Sequence, residues 1–211
     1  MKQLTKSLDL AGRTITFRIG EVAQQATASV ITQYGETTIL TTLVIGKEKT
    51  DIDYFPLSVE YVEKLYAGGR IKGSRWVKRE GRPTDGAILT SRLIDRSIRP
   101  LFSDDYRREV QIINTVLSID VVNSPEVVAA LSTACALSAC SIPWRGPIAT
   151  LNIGFVPDKG EVKGHYIVNP KTEEEDSLNM FLTASFTKDA VVMLEAKAEE
   201  VSNEQVAQAI S

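Results

Sequence analysis

The chain has 211 residues, of which 43% are hydrophobic and 24% charged, with two cysteines, one histidine and a formal net charge of -3. No apolar run approaches the roughly 18 residues that a membrane span requires, and the composition fits neither a collagen-like nor a disulfide-scaffold protein. A soluble globular chain is expected, large enough to bury a core without metal or disulfide. Behind Met1 there is no apolar signal region and no Arg/Ser-rich transit stretch, so the expected location is the cytoplasm.

After Gln3 an alternating, strand-like segment begins, and β-branched residues then mark strands over 14–19, 26–33 and 37–45. Tyr34-Gly35-Glu36 makes the turn between the last two. A further strand over 55–62 alternates around Leu57, Val59 and Tyr61. Residues 67–74 then break the pattern as a glycine-rich, flexible loop. Thr84 with Asp85 opens a helix that Pro100 ends. At 100° per residue, Arg92, Arg96 and Arg99 fall within about 60° of one another on that helix.

Residues 110–122 form the next strand region, and Ser124-Pro125-Glu126 starts a second helix by cap, N1 proline and first-turn acid. Its small residues, from Ala129 to Ala139, predict a buried central helix. Cys135 and Cys140 are placed on it about 140° apart, as small core residues and not a redox pair. Residues 143–147 close the helix. Strands follow over 148–156, near Tyr166 and Ile167 just after His165, and over 178–187 and 190–194, with the acidic run 173–176 as a loop. Ser202-Asn203-Glu204-Gln205 is a capping box for a last helix through Val206 and Ile210. The chain stops within that helix, which reads as a domain cut. The predicted class is α+β, with a mixed β-sheet packed with helices, as one domain over 1–211.

Charge is concentrated. Between Arg70 and Arg99 nine basic residues face three acidic ones, a segment charge of +6, which leaves -9 for the remainder. Seven of the nine are arginine, the cation suited to bidentate phosphate contacts. Trp76 sits inside this block as Arg75-Trp76-Val77-Lys78-Arg79. Rings flanked by cations are what single-stranded nucleic acid sites use, the bases stacking and the phosphates meeting the charges. The alternative is that Trp76 anchors the loop to the body, and the arginine ridge could equally be satisfied by carboxylates such as Asp95. There is no phosphate-binding Gly-x-x-x-x-Gly-Lys-Ser/Thr loop, no Cys-x-x-Cys and no His-Glu-x-x-His, and His165 alone cannot build a histidine metal site.

Gly69-Arg70-Ile71-x-Gly73, Lys78-Arg79-Glu80-Gly81-Arg82-Pro83 and Ser91-Arg92-Leu93-Ile94-Asp95-Arg96-Ser97-Ile98-Arg99-Pro100-Leu101-Phe102 closely resemble the polynucleotide phosphorylase (polyribonucleotide nucleotidyltransferase) family. The resemblance is to its first RNase PH-like domain and extends along essentially the whole chain. It implies an RNase PH-like fold with a ββαβα-type core, and a trimer whose two such domains per chain build a ring around a channel. The implied activity is processive 3'-to-5' phosphorolysis of single-stranded RNA with inorganic phosphate as co-substrate, Mg2+ in the second domain, and possible RNA-degradation complex partners. A helical linker, that second domain, and KH and OB-fold domains would follow in a complete protein.

Carried over residue by residue, the resemblance marks Arg75, Trp76, Val77, Lys78 and Arg79 as a channel loop in which Val77 replaces one of the family's usual aromatics. It marks Arg82, Arg92, Arg96 and Arg99 as further RNA or phosphate contacts. The family's serine-rich phosphate turn is represented here by Asn123-Ser124-Pro125-Glu126, and its Asp, Asp and Lys by Glu175, Phe181 and Thr183. No catalytic or metal residue is therefore assigned. Asp189, Glu195 and Lys197 imitate the catalytic spacing on a different strand. The expected role is RNA guidance and ring assembly. The alternatives are a purely structural ring-forming domain or an independently active RNase PH-type subunit.

Overall fold

The computed structural model describes residues 3–71, 73, 81–158 and 163–211. Strands β1 (Leu4–Leu10), β2 (Arg13–Ile19), β3 (Ala28–Tyr34), β4 (Thr37–Glu48), β5 (Leu57–Val62) and β6 (Arg108–Ser118) form one sheet in the order β1-β2-β3-β4-β6-β5. Neighbours are antiparallel except β5 and β6, which run parallel because α1 (Asp85–Ile98) connects them. A second, antiparallel sheet has the order β10-β9-β7-β8, from β7 (Ala149–Val156), β8 (His165–Val168), β9 (Met180–Phe186) and β10 (Val191–Ala198). The succession β4, β5, α1, β6 and α2 (Pro125–Ser138) is the ββαβα core expected from the sequence.

Burial explains the layering. Thr37, Ile39, Thr41 and Leu43 of β4, and Val110, Ile112, Asn114 and Val116 of β6, alternate at period two and bury one face of the first sheet. Helix α2 packs on β3 and β4 and also reaches β7, so it lies against both sheets. Nine of its residues are buried, among them Val128, Ala129, Ala136 and Leu137, and the small side chains permit that close approach. A hydroxyl-amide network crosses this interface: Thr41 Oγ1 is 2.6 Å from Asn114 Oδ1 and 2.7 Å from Ser132 Oγ, and Thr133 Oγ1 donates to Asn114 Oδ1 at 3.0 Å. A smaller cluster of Ile153, Leu182 and Ala184, with Tyr166 and Phe186 packed against it, is covered by Ala209 and Ile210 from the end of α3 (Asn203–Ala209). The predicted capping box is present, with Ser202 Oγ accepting from Gln205 N–H.

Three local expectations need correction. The acidic run is a 3-10 helix, Thr172–Ser177, because Glu174 folds back to accept the Lys171 N–H at 2.7 Å. The sixth strand stops at Ser118 and not at 122, because the backbone turns at Val121 with φ 59° and Asp120 accepts the N–H groups of Val122 and Asn123. Cys140 lies beyond the end of α2, while Cys135 is on it. Both are half-buried and pack against the core, and burial pushes the Cys135 thiol up to about 11. Among the described residues no helix is long and apolar enough to cross a membrane.

Candidate functional site

Helix α1 begins where Thr84 Oγ1 accepts the Ala87 N–H at 3.0 Å and donates to Glu63 Oε2 at 2.7 Å. Ala87, Thr90, Leu93, Ile94, Ser97 and Ile98 form its buried face. Ile88, Leu89, Arg92 and Arg96 stand on the exposed face, so the predicted arginine ridge faces solvent.

The ridge splits by partner. Arg99 is held by both Asp95 oxygens, with Nε to Oδ1 and Nη2 to Oδ2 each at 2.6 Å. Its other donations go to the carbonyls of Phe55 at 3.1 Å and Leu57 at 3.3 Å, and its guanidinium lies 5.7 Å from the Phe55 ring centroid. The hydrogen-bonded Asp95 carboxylate raises the Arg99 pKa further. Arg99 thus fastens the end of α1 to the start of β5. Arg96 Nη1 reaches Glu195 Oε2 of β10 at 3.1 Å, a half-exposed pair of small energetic value. Arg92 and Arg82 are exposed and have no ion-pair partner among the described residues. Arg75, Trp76, Val77, Lys78 and Arg79 lie outside the described residues.

Beside α1 a groove of about 930 Å³ opens between its first turn and a 3-10 turn, Leu65–Gly68. Tyr61, Ala87 and Val116 are its buried floor, and Ile119, Val121 and Pro125 form one wall. Tyr66, 59% exposed, also lines it, together with the exposed Arg70 and Arg82. The 3-10 turn is fixed by Gly69 N–H to Tyr66 O and Arg70 N–H to Leu65 O, both 3.0 Å, and by Ile119 N–H to Ala67 O at 3.2 Å. Gly69 closes it at φ 65°, a conformation that favours glycine. Sequence reasoning left Tyr66 out. Its signal was an aromatic directly before Ala67-Gly68-Gly69-Arg70.

A family profile described as 3' exoribonuclease family, domain 1, matches residues 11–143. The chain belongs to the 3' exoribonuclease family. It is 48% identical over 206 residues to the polyribonucleotide nucleotidyltransferase of Exiguobacterium sibiricum, covering 98% of this chain and 27% of that protein. It is 46% identical over 204 residues to that of Bacillus cytotoxicus, covering 97% and 28%. The chain therefore spans little more than a quarter of the length of these relatives, and the match supports the first RNase PH-like domain of such proteins. The rice (Oryza sativa) Rrp46 crystal structure shares the fold, with a TM-score of 0.67 at 18% identity, covering 93% of this chain and 85% of that one.

Several residues that the sequence resemblance sets against the family's catalytic cluster are engaged in packing and hydrogen bonds of the fold. Asn123 is buried, its Oδ1 accepting from Arg13 Nη1 at 2.6 Å and its Nδ2 donating to Asp120 Oδ2 at 2.5 Å. Ser124 caps α2 by backbone alone. Phe181 brings no donor atom, and Thr183 Oγ1 donates to Asn152 Oδ1 at 2.9 Å. Those two side chains do not fit a divalent cation, for which carboxylate oxygens are needed. Glu195 of the spacing decoy pairs with Arg96, while Asp189 lies in the β9–β10 turn. Glu126 has its carboxyl pKa raised, first by burial and then by the charges of Glu195, Glu175 and Glu63, against a lowering hydrogen bond with Thr90. These carboxylates lie along α1 from its start, where Glu63 accepts the Thr84 hydroxyl, to Glu195, which pairs with Arg96.

Proposed function

We propose that this chain is the RNA-guiding, ring-forming part of a cytoplasmic polyribonucleotide nucleotidyltransferase that degrades single-stranded RNA 3'-to-5' by phosphorolysis, releasing nucleoside diphosphates. Inorganic phosphate is the co-substrate, the working assembly is a homotrimer, and Mg2+ acts in a second RNase PH-like domain. The observation that carries the reading is that Arg82 and Arg92 are exposed and without an ion-pair partner among the described residues, in a family member that matches these nucleotidyltransferases over almost its whole length. Arg82 and Arg92, with Arg75, Lys78 and Arg79, contact phosphates, and Trp76 stacks on a base. Val77 belongs to the same segment and brings no ring. Arg99 serves this surface by fixing the end of α1 to the start of β5, and Arg96 reaches Glu195 of β10. Phe181 and Thr183 support assigning catalysis elsewhere in the assembled enzyme, and no chemical step is assigned to a metal in this chain.

The test is nucleoside diphosphate release from poly(A) by this 211-residue chain, with phosphate and magnesium, beside a full-length relative. Release by the full-length control alone, together with salt-sensitive RNA binding that Lys78→Ala/Arg79→Ala weakens without regard to base, supports the assignment. Turnover by the isolated chain refutes it and directs mutagenesis to Asp189, Glu195 and Lys197. The competing structural reading is favoured by the Arg96–Glu195 and Arg99–Asp95 pairs. It requires RNA affinity to be indifferent to Arg92→Ala.

A further inference from the structure

We propose that the groove between the Leu65–Gly68 turn and the start of α1 seats one nucleotide of single-stranded RNA, its base on Tyr66 and its flanking phosphates on Arg70 and Arg82. This rests on the RNA-binding reading above and adds to it a site outside the Arg75–Arg79 segment.

Three observations converge. First, Tyr66 is an exposed ring on a pinned turn. Its neighbours are held by three backbone hydrogen bonds, and Ala67 beside it is buried. A ring carried on a backbone already held in place needs less ordering to receive a stacked base than one on a loose loop. Second, Ile119, Val121 and Pro125 line the same groove with apolar surface, and Val121 keeps 71% of its surface exposed. The space of about 930 Å³ falls within the range of ligand clefts and has room for a base and its ribose. Third, the groove carries the charge that RNA supplies a counterpart for. Lys64, Arg70 and Arg82 line the groove against Glu63, whose carboxylate already accepts the Thr84 hydroxyl. Arg70 and Arg82 have no carboxylate partner among the described residues. A peptide occupant would have to satisfy those two guanidinium groups with acids. Every nucleotide of an RNA strand brings a phosphate.

The experiment is fluorescence anisotropy of this chain with a labelled 12-nucleotide oligoadenylate and with an abasic sugar-phosphate strand of the same length. Tyr66→Ala should weaken oligoadenylate binding roughly tenfold, within what one stacked base contributes, and leave the abasic strand unchanged. Tyr66→Phe should retain the wild-type affinity for both. Arg70→Ala and Arg82→Ala should weaken both strands and flatten the salt dependence. Quenching of 2-aminopurine in the oligomer by the wild-type chain, reduced in Tyr66→Ala, is the stacking readout and does not depend on affinity. Equal binding of oligoadenylate by wild type and Tyr66→Ala overturns the groove while leaving the RNA-guiding reading in place. Absence of binding by the wild-type chain overturns both. Self-association abolished by Tyr66→Ala with unaltered RNA affinity overturns the proposal in favour of a protein-protein surface.

Discussion

Asp120→Asn tests the clip that joins the β3–β4 turn to the loop entering α2. The Asp120 carboxylate accepts five hydrogen bonds. Oδ1 takes Val122 N–H at 2.9 Å, Asn123 N–H at 2.8 Å and the Thr37 hydroxyl at 3.0 Å; Oδ2 takes Glu36 N–H at 3.0 Å and Asn123 Nδ2 at 2.5 Å. Burial disfavours the charge, but donation from the backbone of Asn123 and Val122, the Asn123 amide and Glu36 outweighs it and holds the carboxyl well below the usual carboxylate range. An asparagine that keeps its oxygen toward the three-donor side points its own NH2 at two donors. Two charge-assisted bonds are lost and the remaining three become neutral, which, discounted for partial solvent access, comes to about 2–3 kcal/mol. For a chain of this size that is a fall in Tm of roughly 5–10 °C. The folded-state pKa is depressed, so the wild-type advantage is complete above the unfolded value near ~4 and is lost as pH falls toward the folded one. Thermal unfolding followed by circular dichroism should show the full gap at pH 7, narrowing below about pH 4. A gap under about 2 °C at pH 7, or one that widens on acidification, refutes the account.

Two further substitutions separate packing from binding. Ile94→Ala empties a position with no exposed surface beneath α1 and should cost about 3–4 kcal/mol in urea unfolding at an unchanged m-value; a loss under about 1.5 kcal/mol would mean that the helix collapses into the space. Arg99→Lys keeps the charge but not the fork that holds Asp95 and the Phe55 and Leu57 carbonyls, and should cost about 1 kcal/mol after solvent discounting while changing RNA affinity less than about twofold. Arg92→Ala should do the reverse, with an unaltered Tm and several-fold weaker RNA binding. Equal effects of the two on RNA would place Arg99 in direct contact with the strand.

How far the sequence carried the structure depended on whether the deciding interaction was local. The N-cap of α1 at Thr84 and the capping box of α3 at Ser202 involve residues three apart, and both stand where the sequence placed them. Strands β2, β3 and β4 were legible for the same reason, since alternation is a property of neighbours. The end of β6 was not. What stops it is Asp120 gathering the N–H of Glu36, 84 residues away, together with those of Val122 and Asn123, and no periodicity in residues 110–122 announces that. The acidic run failed in the opposite way. A patch of like charge reads as a loop, yet the Lys171 N–H donates to Glu174 at 2.7 Å at the start of a 3-10 helix over Thr172–Ser177.

The arginine ridge is where both kinds of information are needed. Helical spacing put Arg92, Arg96 and Arg99 on one arc, and α1 presents that arc to solvent, yet spacing is blind to which arginine has a partner. The Asp95 that binds Arg99 is one turn away on the same helix, so that pair was available to inspection. The Glu195 that binds Arg96 comes from β10 and needed the fold. What remains after both subtractions is Arg92, with Arg82 two residues before the cap of α1 and Arg70 in the groove. Among the described residues these three are the cations of the basic block without an ion-pair partner, and they sit around the beginning and middle of α1 while the paired arginines sit toward its end. A cationic surface that is half internally neutralised attracts a polyanion only at its unneutralised half. That polarity along α1 is why substitutions at Arg92 and Arg99 are expected to separate affinity from stability.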